Sequence, residues 1–354
     1  MIYATITLVI VMFFSSCYGR IKQGNLIPII GTVLALGVFA GLRDISFGTD
    51  LLGYQDRFLS YFPFVGYNEI VMDYKQGTMK DFLFYITMKI FSDVGLSYQV
   101  FMAAVTGFYI ITVSILIFKY SKKPVISFIM FFCLAWLPFS FTGLRQTVAM
   151  GICIISLIFL LNDKQSISAI VCIFLAGFVH SSAWIFFIAP IIARLDIRLG
   201  KIRFIGVTVA SLTLSVLGST LFRQIIVAIA WNNTMANYAD SDISLNWSGF
   251  IIQLIIAAVS FIFYDTVINN NPNMSLLYSM MAIGVGFQAF STVVAEMFRV
   301  SMYFSIASIC VYPTVIMSIK RKDYRTLAFY LSILLLLIYF FQADKFATYI
   351  PIIE

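Results

Sequence analysis

Arg145 is the residue of this chain whose surroundings most directly suggest chemistry. It is the only charged residue of an apolar segment, Pro124 to Asn162, and lies near the middle of that segment. One membrane crossing needs about 20 residues, so the longer segment is predicted to form a hairpin of two membrane helices with Arg145 at the apex. An arginine there serves either as an interfacial anchor or as a functional charge that faces the protein interior.

Two later apolar stretches repeat this pattern, and the second predicted helix adds to it. His180, the single histidine, sits in the middle of one stretch, and Glu296 and Arg299 sit in the middle of another. Arg43 ends the second predicted helix on the same side, and Asp50 follows it closely. A lone histidine is often only a hydrogen-bonded structural group, and Glu296 and Arg299 can neutralise each other on one helix face. Their coincidence at one predicted depth nevertheless favours a shared site.

The residue types in this set indicate what the site would bind. Three arginines with planar, forked donors suit phosphate oxygens, and an imidazole with one or two carboxylates can supply a general base near neutral pH. The expected substrate is anionic, reached from outside and partly within the membrane, as a lipid diphosphate would be. All four tryptophans fall in the predicted outer half, where they fit either a bound sugar or the ordinary aromatic belt.

The composition predicts an all-α, polytopic helical membrane protein. The chain is 61% hydrophobic and 11% charged, whereas soluble domains are about 25% charged. Residues 1–18 lack a basic n-region and a small-residue cleavage site, so they are expected to be a retained first helix. The basic residues fall in short clusters between apolar runs, as the positive-inside rule requires, and do not suggest nucleic acid.

About twelve crossings are predicted, some short or re-entrant, in one integral membrane domain over residues 1–354. Most of the 23 basic residues then face the cytoplasm, and both chain ends face outward. Residues 167–193 must cross twice but are too few for two full spans, so two half-helices or a re-entrant pair are expected. The predicted crossings are 1–18, 26–42, 97–118, 125–139, 144–161, 167–180, 181–193, 204–222, 249–264, 275–295, 300–318 and 326–341.

Two outer loops are long enough to carry structure of their own, 43–96 and 223–248. The first is rich in aromatic and apolar residues, so it is predicted to be folded, with a surface or partly inserted helix over 82–95. The second contains Asp240 and Asp242, whose spacing could hold a divalent ion, but so short an acidic motif is common. The five cysteines lack metal-ligand spacing, and no metal or cofactor is expected.

Several short motifs resemble the EpsG-like branch of Wzy-type O-antigen and exopolysaccharide polymerases, and they follow the family's order. Gln146 lies in the second motif, Tyr54 follows the Gly-Thr-Asp of the first, and a late helix carries Arg299. The motifs are GLRDISFGTDLLGY (41–54), FTGLRQTVAMGI (141–152), LAGFVHSSAW (175–184) and the tail YIPIIE.

The resemblance implies a multi-pass enzyme of the bacterial inner membrane with a periplasmic active site, similar to the metal-independent GT-C glycosyltransferases. It would transfer a growing glycan from undecaprenyl diphosphate onto the next lipid-linked oligosaccharide, and a chain-length regulator of the polysaccharide co-polymerase type is an expected partner. The roles carried over are diphosphate binding by Arg43, Arg145 and Arg299, proton abstraction by His180, Asp50 or Glu296, and substrate positioning by Gln146 and Tyr54.

Two other classes of protein would also use such residues. A flippase or transporter of lipid-linked glycans should carry charges on both faces or at the midplane, often with internal repeats, and the sequence shows neither. A membrane acyltransferase of surface polysaccharide should have catalytic groups on its inner side, where this chain has only solvated basic clusters.

Overall fold

The computed structural model describes residues 1–18, 26–217, 247–294 and 296–352, and this part of the chain is helical. It divides into two compact units, residues 1–187 with 319–354 and residues 188–318. Of the second predicted outer loop, Asp240 and Asp242 lie outside the described residues, as do residues 218–222 of the crossing predicted at 204–222. The prediction of one integral domain stays a prediction.

The first unit contains the helices that surround the N-terminal half of the predicted site. Single-turn 3₁₀ and π segments at Ile45–Phe47 and Arg57–Tyr61 flank α3, and a longer 3₁₀ segment, Ser181–Phe187, follows α10. The α-helices are α1 (Ile2–Cys17), α2 (Ile27–Gly41), α3 (Leu51–Asp56), α4 (Tyr67–Lys75), α5 (Phe82–Asp93), α6 (Tyr98–Tyr120), α7 (Pro124–Cys133), α8 (Trp136–Phe139), α9 (Leu144–Asn162), α10 (Ile167–Val179) and, near the C-terminus, α18 (Lys322–Ala343).

The second unit is built from the remaining helices, and two of its helix pairs are sharply bent. The break at Phe263 turns the chain by 62°, and the break between Ser305 and Ser308 turns it by 47°. The helices are α11 (Ile188–Arg194), α12 (Lys201–Leu217), α13 (Ser248–Ile262), α14 (Tyr264–Asn270), α15 (Met274–Phe290), α16 (Met297–Ser305) and α17 (Ser308–Ser318).

Among the described residues, three helices are long and apolar enough to cross a membrane: α6, α9 and α18. The number rises to five if each bent pair of the second unit counts as one span. These apolar helices indicate a membrane protein. Twelve crossings and a GT-C-like architecture stay predictions.

The crossing predicted at 125–139 is not one continuous helix. Helix α7 ends at Cys133, Leu134 is extended, and α8 begins at Trp136. Pro138 has no backbone N–H for the carbonyl of Leu134, and its ring crowds that carbonyl, so a continuous helix is disfavoured here. The two short pieces leave room for the turn that leads into α9.

Residues 167–193 form short elements, as their length predicts. Helix α10 has 13 residues, the 3₁₀ segment has seven and α11 has seven. Ser166 caps the start of α10 by accepting a hydrogen bond from the N–H of Ala169. The predicted helix over 82–95 is present as α5, whose inner face buries Phe84, Tyr85 and Met88.

The antiparallel pair α9 and α10 separates the basic connections from the predicted site. At one end of α9, Asn162 accepts hydrogen bonds from Lys119 Nζ (2.9 Å) and the Tyr120 hydroxyl (3.0 Å). Arg145 lies at the other end, about 26 Å away at 1.5 Å per residue. Ser156 ties the two helices together by donating to the carbonyl of Ala169 (2.9 Å).

Candidate active site

Asp81 is the centre of an ionic cluster in the first unit. One of its carboxylate oxygens, Oδ2, accepts hydrogen bonds from Arg145 Nη1 and His180 Nδ1, both at 2.9 Å. The other, Oδ1, accepts from the backbone N–H of Ser181 at 3.0 Å. Arg145 Nε also donates to the hydroxyl of Tyr54 at 2.9 Å. Arg145 and His180 therefore meet at a carboxylate that the prediction omitted, and Tyr54, also predicted for the site, joins them through Arg145.

Each member of the cluster is placed by the end of a helix. Asp81 is the residue before α5, Arg145 is in the first turn of α9, and His180 ends α10. Because α9 and α10 are antiparallel, the start of one and the end of the other lie side by side. Tyr54 reaches the cluster from α3 in the outer loop, where its ring packs against Phe84.

The cluster is buried at its centre and open at its edge. The Asp81 side chain is 3% exposed, whereas those of Arg145 and His180 are 31% and 21% exposed. Within the described part of the chain, neither Arg145 Nη2 nor His180 Nε2 has a hydrogen-bond partner. Arg145 and His180 thus each keep one nitrogen that the cluster does not occupy.

The surroundings of Asp81 keep its carboxyl group ionised. Burial by itself would raise the pKa of Asp81, but the hydrogen bond and charge of His180, the charge of Arg145 and the N–H of Ser181 together hold that pKa below its usual value. Burial raises the pKa of the Tyr54 phenol despite the nearby Arg145, so its hydroxyl stays protonated.

Arg43 lies in the first unit but in a different environment. Its side chain is fully buried, donates to the carbonyl of Ala40 and to Thr106 Oγ1 (3.3 Å), and lies 5.0 Å from the ring centre of Phe141. Its Nε and Nη2 have no hydrogen-bond partner among the described residues. Burial lowers the pKa of Arg43 to about 10, so the side chain is a cation at neutral pH.

The remaining predicted residues differ in their exposure. Asp50 is exposed at the start of α3, where its carbonyl accepts from the N–H of Tyr54, and Gln146 is buried next to Arg145. In the second unit, Glu296 precedes α16 and accepts, through its carbonyl, a hydrogen bond from the N–H of Arg299 (2.9 Å). Both side chains there are half-buried.

Asp81 was missed because nothing in its local sequence sets it apart. The outer loop 43–96 contains several other acidic residues, and their spacing favours none of them. The one available signal was its position directly before the apolar helix of 82–93, where an aspartate often stands as a cap. Asp81 forms no side-chain cap there and instead bonds to residues about 64 and 99 positions later.

Apolar helices with an ionic cluster at their ends define an integral membrane protein with a polar site. The model of the EpsG family matches residues 26–351, which is nearly the whole chain, and the chain belongs to that family. Neither curated proteins nor solved structures gave a match. Membership of the EpsG family indicates a polysaccharide polymerase, which is a glycosyltransferase in the general sense.

Proposed function

We propose that this protein polymerises undecaprenyl-diphosphate-linked oligosaccharides at the periplasmic face of a bacterial inner membrane. The growing glycan moves from its lipid diphosphate onto the next lipid-linked unit and lengthens an O-antigen or exopolysaccharide. One observation carries this proposal: Arg145 and His180, each isolated in an apolar stretch, converge on the carboxylate of Asp81 at 2.9 Å. Isolated ionisable groups in membrane segments are expected to be functional.

Arg145 is the proposed contact to the diphosphate of the donor. Asp81 and Tyr54 hold two of its three nitrogens, which fixes the plane of the guanidinium. Its remaining nitrogen, Nη2, is then directed by its partners and can donate to a phosphate oxygen. As the glycosyl–phosphate bond breaks, negative charge builds up on the leaving diphosphate, and a fixed cation at this position stabilises it.

His180 is the proposed general base. In the transfer, the bond from the sugar's anomeric carbon to the phosphate oxygen breaks, and a bond from that carbon to the acceptor oxygen forms. The acceptor hydroxyl loses its proton to the imidazole, and undecaprenyl diphosphate leaves. An imidazole accepts a proton readily near neutral pH, and Nε2 of His180 is the ring nitrogen that Asp81 leaves available.

The other predicted residues keep supporting roles in this proposal. Tyr54 and Gln146 position substrate beside Arg145, Arg299 binds diphosphate, and Asp50 and Glu296 are alternative bases. Arg43 is 0% exposed, so a direct contact with the diphosphate requires its guanidinium to be uncovered. The polymerase is expected to work without a metal ion and with a chain-length regulator as partner.

The test is polymerisation by the purified protein of a synthetic repeat unit linked to undecaprenyl diphosphate, in buffer with chelator, followed by sizing of the glycan. Wild-type protein should produce a ladder of polymers. Arg145→Ala and His180→Gln should each reduce the rate by about 10²-fold or more. The repeat unit should come from the strain that supplies the gene, because the sugars are set by the host.

A matched control comes from an exposed ion pair of the second unit. Arg198 donates to Asp196 at 2.7 Å, and both side chains are exposed, so Arg198→Gln removes an arginine without touching the cluster. This control should polymerise at the wild-type rate. If Arg145→Ala and His180→Gln also polymerised at that rate, the proposed roles would be excluded.

A further inference from the structure

We infer that Asp81 is a positioning residue that fixes which ring nitrogen of His180 faces the acceptor hydroxyl. This inference rests on the proposed function, because it explains how His180 would act as a base. No motif in the sequence pointed to Asp81, and its role follows from three hydrogen bonds and its backbone conformation.

The hydrogen bonds of Asp81 determine the tautomer of His180. An ionised carboxylate has no proton to donate, and Asp81 is ionised because it pairs with Arg145 at 2.9 Å. The 2.9 Å contact between Oδ2 and His180 Nδ1 therefore requires that Nδ1 carries the hydrogen. In the neutral imidazole the lone pair is then on Nε2, which is the form that a general base needs.

Asp81 also restrains the orientation of the imidazole. While Oδ2 holds the ring of His180, Oδ1 holds the backbone N–H of Ser181, the next residue. The carboxylate thus binds both the side chain of His180 and the main chain of Ser181 at the point where α10 ends. The ring therefore cannot rotate away without breaking the hydrogen bond between Nδ1 and Oδ2.

The backbone conformation of Asp81 indicates that contacts with the surrounding structure, and not only the local preference of the chain, determine it. Its φ and ψ are 59° and 46°, in the left-handed region. Aspartate tolerates this region better than most residues, yet such a conformation persists only when its surroundings enforce it. Here the enforcing contacts are the hydrogen bonds to Arg145, His180 and Ser181.

The single histidine makes the tautomer directly measurable. Protein labelled with ¹⁵N-histidine and purified with a tag that contains no histidine gives one pair of imidazole nitrogen signals. In wild-type protein at pH 8, Nδ1 should be the protonated nitrogen and Nε2 the unprotonated one. In Asp81→Asn, whose amide can donate as well as accept, the population with the proton on Nε2 should rise severalfold.

Asp93→Asn is the matched control for this spectrum. Asp93 also lies in the outer loop and also bonds two side chains, Lys89 and Tyr67, but it does not touch His180. Its variant should leave the nitrogen signals of wild-type protein unchanged. A wild-type histidine with its proton on Nε2, or an unchanged tautomer in a folded Asp81→Asn variant, would overturn the inference.

A double-mutant cycle tests the same inference by activity. Asp81→Asn should lower the rate at saturating donor by about 10²-fold. It should lower the rate much less when His180 is already Gln, and the remaining loss should reflect the bond from Arg145 to Asp81. Additive losses in the double variant would show that Asp81 acts independently of His180 and would overturn the inference. Asp81→Glu, which keeps a carboxylate, should recover part of the rate and the Nδ1-protonated form.

The two experiments separate this inference from the proposed function. If wild-type protein did not polymerise the repeat unit, the proposed function would fail, but the nitrogen spectrum would still show whether Asp81 sets the tautomer. If the protein polymerised normally and the spectrum showed the proton on Nε2, the inference would fail alone.

Discussion

At the scale of single residues, the cluster around Asp81 balances its charges internally. Arg145 and Asp81 form an ion pair whose carboxylate is buried, and His180 adds a hydrogen bond to the same carboxylate. A buried charge without a partner is costly, and each ionised side chain here faces the opposite charge. An added diphosphate would meet a guanidinium that is held in place but still exposed along one edge.

Arg145 and His180 could be predicted because each is the one charged or imidazole group in a long apolar run. The sequence shows such isolation directly. It cannot show Asp81, because the choice among several loop carboxylates depends on how the outer loop folds back onto α9 and α10. Arg43 looked equivalent to Arg145 in sequence, yet the packing of Phe141 and Thr106 encloses it completely.

Tyr54→Phe tests how Arg145 is held. The substitution keeps the buried ring and removes the hydroxyl that accepts from Arg145 Nε. Arg145 should then bind diphosphate less well, and KM for the lipid-linked donor should rise about 10-fold, since a hydrogen bond to a charged group contributes about 1.5–3 kcal/mol. Steady-state kinetics measures this, and an unchanged KM would show that the hydroxyl does not orient Arg145.

The acid stability of the protein should depend on Asp81. Because the pKa of Asp81 is lower in the folded protein than in an unfolded chain, where it is about 3.9, Asp81 stabilises the fold above that value. This stabilisation should disappear as the pH falls through the folded-state pKa. Melting temperatures between pH 6 and 3 should therefore fall less steeply for Asp81→Asn than for wild-type protein.

Asp163→Asn is the control for that measurement, because Asp163 is exposed in the connection between α9 and α10. Its melting curve should fall with pH as steeply as that of wild-type protein. Equal slopes for all three proteins would show that the ion pairs of Asp81 do not stabilise the fold.

At the scale of elements, the turn after α10 is what delivers His180 to the cluster. The chain reverses through the 3₁₀ segment Ser181–Phe187, and the indole of Trp184 packs directly onto Gly177. The ring of Trp184 also stacks on that of Phe187, with centroids 6.0 Å apart. The absence of a side chain at position 177 therefore lets Trp184 pack directly against α10, so the chain can turn within few residues.

Gly177→Ala should disturb this turn. A Cβ at position 177 would lie 2.4 Å from the Trp184 ring, so the indole must move. We expect a loss of about 1–3 kcal/mol in stability and a lower polymerisation rate, because His180 is only three residues away. Thermal unfolding and product sizing measure the two effects.

Gly107→Ala provides the comparison, because it also replaces a glycine within a helix by alanine. Nothing lies within 4 Å of a Cβ at position 107, and alanine favours helix by about 1 kcal/mol over glycine. This variant should be as stable as wild-type protein or more so. If Gly177→Ala behaved in the same way, the contact with Trp184 would have no role in placing His180.

At the scale of the whole molecule, the C-terminal tail belongs to the same unit as the cluster. Arg43 and Pro351 form an antiparallel bridge, Asp44 N–H donates to the carbonyl of Ile350 (2.9 Å), and Ile352 N–H donates to that of Leu42 (2.7 Å). The N-terminal amine of Met1 donates to the carbonyl of Phe346. Both ends of the described chain are thus anchored beside the start of the outer loop.

Tyr349→Ala should destabilise this anchor. The ring of Tyr349 stacks on Phe39 with centroids 4.3 Å apart, and its hydroxyl donates to the carbonyl of Phe39. Replacing a buried aromatic residue costs about 3–5 kcal/mol, so the melting temperature should fall by several degrees. Tyr330→Ala, which alters a tyrosine that is 65% exposed, should have a much smaller effect, and equal effects would contradict a special role for the tail.

The sequence allowed the helical class to be predicted, because it follows from composition, whereas the sidedness of the charges, which follows from the clustering of basic residues, stays a prediction. The lengths of individual helices were less predictable. Hydropathy treats 125–139 as one crossing, but Pro138 and the extended Leu134 divide it. Such breaks depend on backbone hydrogen bonding and packing. A hydropathy average over a stretch of side chains does not detect either.

The most direct test of the central claim is to measure donor binding and glycan transfer separately in the same reconstituted preparations. Arg145→Ala should bind the lipid-diphosphate donor at least 10-fold more weakly, whereas His180→Gln should bind it as wild-type protein does and yet transfer almost no glycan. The opposite division, with His180→Gln deficient in binding and Arg145→Ala deficient only in transfer, would contradict the account, as would normal transfer by either variant.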